Sequence, residues 1–178
     1  MQFNLDANPE VAVLRLDSAV AGQPGGDSAG LPRRFFTLGT PICFEDTVSS
    51  LCRKMAYRHG EKRADIFVNI SNDGWFGSSD ADRKLHAQIA RFRCIENRLP
   101  MVRCVNTGVS VHFDSAGRIA SAAGPEADGS ARQAGWLLAK VQVDSRRTLY
   151  GRIGNAFPAS CCVMALGLLF WTFRKPSK

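Results

Sequence analysis

The sequence predicts an α/β layered sandwich followed by one transmembrane helix. Three observations carry that expectation. Between residues 35 and 105, β-prone runs alternate with helical periodicities, and more β-prone runs follow, the order of an α/β layer. Residues 156–173 carry no charge and end on Arg174 and Lys175. The 178 residues, 45% hydrophobic and 22% charged, suffice for one domain with a real core.

The elements follow in order. Residues 1–34 are weakly patterned, with a short strand at 11–16 and a Gly/Ser/Pro-rich flexible loop at 21–32. Residues 35–42 read as a strand. Asp46 or Thr47 then caps a helix whose apolar stripe is Val48, Leu51, Cys52 and Met55, with Arg58 and His59 in its last turn and Gly60 as its stop. Residues 65–70 form a short apolar run of buried-strand type, and 71–77 a loop. A second helix spans 80–97 and stops before Pro100. Residues 101–105 and 109–113 read as strands, 114–117 as a turn with Ile119 resuming beyond it, and 136–143 as the last strand. As a helix, 156–173 spans roughly 27 Å, at the short end of what crosses a hydrocarbon core, and Pro158 shortens its apolar run. Arg152 and Arg174 flank it. The division is therefore a lead-in over 1–34, a domain over 35–150, and a membrane helix with a basic tail over 151–178.

Net charge is +7, from 23 basic and 16 acidic residues. The basic residues are scattered, with no interaction tail and no basic helix bearing interleaved aromatics, so an anionic membrane surface is favoured and a nucleic-acid partner is not. The cysteines are Cys43, Cys52, Cys94, Cys104, Cys161 and Cys162. None forms a C-x-x-C pair, and His59, His86 and His112 lack zinc spacing, so neither a metal site nor another cofactor is expected. Residues 2–10 are too polar for a signal peptide.

Cys43 is the leading catalytic candidate. It ends a β-prone run and is followed at once by a helix start. Helix N-terminal amides there stabilise a thiolate and can bind a developing oxyanion. The competing structural role is that of a small buried hydrophobe.

Four segments carry a resemblance: Ile-Cys-Phe-Glu-Asp at 42–46, Val-Asn-Ile-Ser-Asn-Asp-Gly-Trp-Phe-Gly at 68–77, His-Ala-Gln-Ile-Ala-Arg-Phe-Arg-Cys-Ile-Glu-Asn-Arg-Leu-Pro at 86–100, and Val-Arg-Cys-Val-Asn-Thr-Gly at 102–108. Together they resemble the bacterial apolipoprotein N-acyltransferases, membrane members of the nitrilase (carbon–nitrogen hydrolase) superfamily, over roughly residues 35–173. The Ser-Asn-Asp-x-Trp-Phe-Gly block is the specific part. The resemblance implies part of a nitrilase-type α-β-β-α sandwich and a ping-pong acyl transfer. A cysteine thiolate takes an acyl chain from a phospholipid. The thioester passes it to the N-terminal amine of a lipoprotein's diacylglyceryl-cysteine. It also implies the bacterial inner membrane, with the domain on the periplasmic side.

Cys43 matches the nucleophile, and the amide of Phe44 is placed to serve the oxyanion. Glu45 matches a carboxylate beside the nucleophile that orients the site or the amine. Its structural alternative is a helix-start carboxylate. Phe44 replaces the more usual tyrosine. Asn72 and Asp73 read as loop-holding or pocket residues, Trp75 and Phe76 as lining for an acyl channel, and Asn106 as part of a tight turn near the site. Of Arg91, Arg93 and Glu96 at least one belongs to a structural ion pair, and His86 reads as structural.

The superfamily's order is Glu, Lys, Cys. Upstream of Cys43 there is no lysine, the first being Lys54, and the only glutamate is Glu10. The expectation is the C-terminal portion of such an enzyme: a fragment, a misplaced gene start, or half of a split protein completed by a separate upstream polypeptide. Alone it is expected to be inactive. The alternatives are a soluble-type amidase or nitrilase, a non-catalytic membrane-anchored remnant, and a Cys-His hydrolase.

Overall fold

The computed structural model describes residues 13–17, 35–123 and 135–174. Its centre is a six-stranded sheet of order β1-β2-β5-β6-β7-β8, built from Leu14–Asp17 (β1), Phe35–Gly39 (β2), Ile66–Asn72 (β5), Met101–Asn106 (β6), Val111–Phe113 (β7) and Ile119–Ala122 (β8). The strands β2, β5 and β6 are parallel, and β1, β7 and β8 are antiparallel to their neighbours. Parallel neighbours require crossovers, and the two helical periodicities supply them: Ser49–Ala56 (α1) joins β2 to β5, and Asp80–Asn97 (α2) joins β5 to β6.

The pleat decides which residues meet those helices. Along β5, Phe67, Asn69 and Ser71 are buried, and along β6, Met101, Arg103 and Val105. The register pairs them as Phe67 with Met101, Asn69 with Arg103 and Ser71 with Val105. The Phe67 end is apolar and packs on Cys52, Met55, Ala56, Ala87, Ala90 and Cys94 from the helices. The Ser71 end of the same face is polar, which is where the candidate site lies. The other face is uncovered among the described residues at Ile70, 62% exposed, and at Ile119, 48% exposed.

Of the predicted α1 stripe, Cys52 and Met55 are buried and Leu51 packs against the core, while Val48 precedes the helix and is 41% exposed. Its start differs. Asp46 and Thr47 belong to a 3-10 turn, Cys43–Thr47, and the N-cap is Val48, with no side-chain cap. Its end differs too. The helix stops at Ala56, and Tyr57–Arg58 (β3) pairs with Glu61–Lys62 (β4) around His59 and Gly60, both at positive φ. Such a two-residue hairpin turn needs left-handed backbone, which glycine provides freely. The strand from Phe35 ends at Gly39, because Pro41 has no N–H to donate and Ile42 makes only an isolated bridge to Ile70. Ser71 and Asn72 extend β5 rather than opening a loop. Helix α2 has the predicted bounds and closes on Arg98 in the left-handed region.

Residues 136–143 are not a strand. They run without ladder pairing, and Trp136 and Leu138 are each 87% exposed. Period-two patterning specifies an extended chain, but a strand also needs an edge to pair with, and no described strand offers it one. The expected loop at 21–32, Glu10 and the basic residues Lys175 and Lys178 fall outside the described residues. The predicted strand at 11–16 appears as β1, Leu14–Asp17.

Leu149–Ile153 (α3), which the periodicity does not reveal, precedes Ala156–Arg174 (α4). Arg53 of α1 donates to the carbonyls of Tyr150 at 3.0 Å, Gly151 at 3.1 Å and Arg152 at 2.9 Å. Gly151 lies on the Tyr57 ring so closely that an added Cβ would come within 2.3 Å of it. The 19 residues of α4 include none that is buried, and the helix is long and apolar enough to cross a membrane. Pro158 sits in its first turn, where a missing N–H costs no hydrogen bond.

Candidate active site

Cys43 stands at the carboxyl end of the parallel strands. Its φ of +50° is in the left-handed region, which a non-glycine residue occupies only where its surroundings hold it. What holds it is on either side. The Asn69 amide donates to the carbonyl of Pro41 at 2.9 Å and to that of Cys43 at 3.3 Å. On the far side the Glu45 carboxylate accepts the Ile42 N–H at 2.8 Å, and Glu45 N–H donates to the Ile42 carbonyl at 3.0 Å. Of the two roles read for Glu45, the geometry displays the helix-start carboxylate, in an exposed side chain.

The sulfur is half-exposed and faces donors. The Ser71 hydroxyl lies 3.5 Å from it. Ser71, with the backbone amides of Asn72 and Phe44 and the charge of His86, outweighs partial burial and holds the thiol below its usual pKa of 9.0. The buried thiols go the other way: desolvation pushes Cys52 up to about 12 and raises Cys94 as well. All six cysteines are free.

Beneath the sulfur is a buried charge cluster. His86 from α2 bridges Asp73 Oδ1 at 3.0 Å through Nδ1 and Asp46 Oδ1 at 2.9 Å through Nε2. Arg103 from β6 bonds Asp46, Asp73 Oδ2 at 3.1 Å and Asn69 Oδ1 at 2.8 Å. Ser71 reaches Asp73 Oδ1 at 2.8 Å. Burial pushes the His86 imidazolium toward losing its proton, but the two carboxylates more than offset this and raise its pKa to about 9. Burial pushes Asp73 up, but the hydrogen bonds from His86 and Ser71 and the charge of Arg103 hold it below its usual value. Two carboxylates thus face one imidazolium and one guanidinium, whose Nη2 also lies 3.0 Å from His86 Nδ1 and opposes its proton, and the formal charges of the four cancel. Gly108 makes room for it: a Cβ there would sit 2.6 Å from Asp73 Oδ2 and 2.3 Å from Val105 Cγ1.

Around the thiol runs an apolar lip. The Trp75 and Phe76 rings stack at 4.2 Å, Phe44 meets Trp75 edge-on at 6.2 Å, and Phe76 meets the His86 ring at 5.7 Å. Trp75 is 62% and Phe44 55% exposed. Asn72 accepts the Gly74 N–H at 3.0 Å, which holds the turn carrying Trp75. Asn106 is exposed on β6, paired in register with Asn72. Arg93 and Glu96 form the expected ion pair, at 2.9 Å, while Arg91 bonds Gln88. Asn69, Ser71 and Arg103 escaped the sequence reading, since a polar residue at an alternating strand position looks like a solvent-facing one, and Asp46 was read only as a cap. A run of three such residues on the helix-facing side of β5 and β6 is the signal that would have found them. Among the described residues no cluster of His, Cys, Asp and Glu suits a metal ion.

The carbon–nitrogen hydrolase family profile matches residues 11–149, and this chain belongs to that family. Similar proteins include the apolipoprotein N-acyltransferase of Geobacter metallireducens, 33% identical over 154 residues, 86% of this chain and 27% of that protein. Apolipoprotein N-acyltransferase 1 of Treponema denticola is 33% identical over 143 residues, 79% of this chain and 24% of that protein. The apolipoprotein N-acyltransferase of Bordetella bronchiseptica is 37% identical over 141 residues, 78% and 24% respectively. The chain thus spans about a quarter of the length of these relatives. Two solved structures overlap in part. They are a carbon–nitrogen hydrolase from Helicobacter pylori (TM-score 0.44, 19% identity, covering 49% of this chain and 36% of that one) and Nit3 from Saccharomyces cerevisiae (TM-score 0.37, 22%, 57% and 38%).

Proposed function

We propose that this chain carries the nucleophile half of an apolipoprotein N-acyltransferase, with Cys43 as the residue that takes the acyl chain. The observation that supports this most is the left-handed Cys43 whose sulfur faces the Ser71 hydroxyl and the amides of Phe44 and Asn72. The thiolate attacks the ester carbonyl of a phospholipid. The Phe44 amide donates to the oxygen that becomes negative, and collapse expels the lysophospholipid and leaves a thioester. The amine of a lipoprotein's diacylglyceryl-cysteine then attacks the thioester and returns the thiolate. Phe44, Trp75 and Phe76 offer the acyl chain an apolar wall, and Asn72, Asp73 and Asn106 shape the loops behind it.

In the family pattern a glutamate takes the proton and a lysine steadies the tetrahedral intermediate. Neither precedes Cys43 in a comparable context here. Lys62 is engaged with the carbonyls of Arg98 and Asp144. An upstream half supplies both groups in this reading, and the open sheet face around Ile70 is where its sheet would pack. Losing a base and an oxyanion donor costs about 10²–10⁴-fold each.

The experiment is to incubate membranes with a labelled phospholipid and map the label. With the upstream half of a relative co-expressed, label is expected on Cys43, none in Cys43→Ala, and little on the chain alone. Label retained in Cys43→Ala, or found on Cys52, Cys94 or Cys104, would defeat the assignment. In the inner membrane, α4 spans with Arg174 on the cytoplasmic side and the domain in the periplasm, following the basic-residue bias. A C-terminal reporter active only in the periplasm would reverse that orientation.

A further inference from the structure

We infer that Ser71 is a two-position hydroxyl switch that holds Cys43 as a thiolate, and that the neutral cluster beneath it exists to let that hydroxyl turn. The inference rests on Cys43 being the nucleophile, but it concerns the state of the thiol and not the acyl reaction.

One hydroxyl has one hydrogen, and Ser71 has two neighbours that want it: Asp73 Oδ1 at 2.8 Å and Cys43 Sγ at 3.5 Å. Asp73 is ionised and can only accept. While Cys43 is a thiol, Ser71 therefore gives its hydrogen to Asp73, and a lone pair of its oxygen faces the S–H. When the thiol ionises, its proton leaves to solvent, or to a base that the upstream half provides. The Ser71 O–H then rotates toward sulfur without any covalent bond breaking. Asp73 loses one hydrogen bond in that move and keeps three: from His86 at 3.0 Å on Oδ1, and from Arg103 at 3.1 Å on Oδ2 and 3.4 Å on Oδ1. A buried carboxylate with no other donor could not release the serine without an unsatisfied charge. The cations His86 and Arg103 make the release affordable, and Asp46 and Asn69 hold those cations in place.

The charged groups around Cys43 come from every packed element. Glu45 and Asp46 lie on its own 3-10 turn, Asp73 on the turn after β5, His86 on α2 and Arg103 on β6. The Ser71 hydrogen bond is the largest of the influences that favour the thiolate, and the amides of Asn72 and Phe44 and the charge of His86 add to it. The Phe44 and Asn72 amides stay in place in both states.

The test is alkylation of Cys43 by iodoacetamide, read by peptide mapping across pH 5–10 on the full chain in detergent. Mapping is needed because Cys104 and Cys162 are also exposed. The Cys43 profile is expected at lower pH in the native chain than in the same chain unfolded in urea. Ser71→Ala, which removes one oxygen and nothing else, moves the native profile to higher pH and slows alkylation at neutral pH about tenfold, the worth of one hydrogen bond to an anion. Ser71→Thr keeps the hydroxyl and stays near wild type. Coincident native and unfolded profiles, which need no variant, would overturn the inference. So would a Ser71→Ala protein with native circular dichroism and an unshifted profile. A protein that passes this test yet takes no acyl label when the upstream half of a relative is co-expressed would disprove the acyl-transfer reading alone.

Discussion

Arg103→Leu is expected to destabilise the domain by about 3–5 kcal/mol, enough to unfold a protein whose total stability lies in the usual range of about 5–15 kcal/mol. The guanidinium is fully buried and bonded to Asp46, Asp73 and Asn69. Leucine fills part of the volume but leaves two buried carboxylates facing a single imidazolium. The cost comes from the uncompensated anion, not from any large net worth of the ion pairs, since a buried pair can be replaced by apolar side chains at little loss. Arg103→Lys should fall between, because an ammonium keeps the charge but cannot span both carboxylates in one plane. Urea unfolding of the full chain in detergent measures it. An Arg103→Leu midpoint equal to wild type would show that Asp46 and Asp73 do not depend on that charge.

The domain is also expected to lose stability as pH rises from about 6.5 to about 9. His86 binds its proton more tightly folded than unfolded, with a pKa raised from 6.5 to about 9. Its contribution is therefore complete below 6.5 and is lost as pH rises through 9. At about 1.4 kcal/mol per unit, the loss approaches about 3 kcal/mol. The Cys43 thiol works in the opposite direction toward the top of that window, because its folded pKa is depressed below 9.0. The comparison therefore belongs in the Cys43→Ala background. There the melting temperature should fall steadily across the window, and His86→Gln should flatten the curve. A flat or rising curve with His86 intact would mean the imidazole is not charged in the fold.

Periodicity was legible where burial alone decides structure. Helix α2 has its predicted bounds, with Pro100 beyond its end, and the strands β5 and β6 lie in short β-prone runs. It misled where partners decide. Residues 136–143 alternate like a strand but meet no edge, and Asp46, which looked like a cap, is buried against His86 and Arg103. The place of Cys43 between a strand and a helix start was readable from the sequence. Its support was not: Ser71 and Arg103 lie 28 and 60 residues further on, joined to it only by a register that pairs Ser71 with Val105 and Asn69 with Arg103. Contacts made across parallel strands leave no local trace in a single chain.

The grip of Arg53 on the end of α3 has a mechanical meaning. Arg53 lies on α1, which follows directly on the turn that begins with Cys43, and α3 leads straight into α4. With α4 anchored in a bilayer, these connections act as a spacer of fixed length between the lipid surface and the sulfur. In the proposed acyl transfer, the height at which the thiol meets an ester carbonyl would then be built into the protein, and a substrate would have to rise or sink to that level to react.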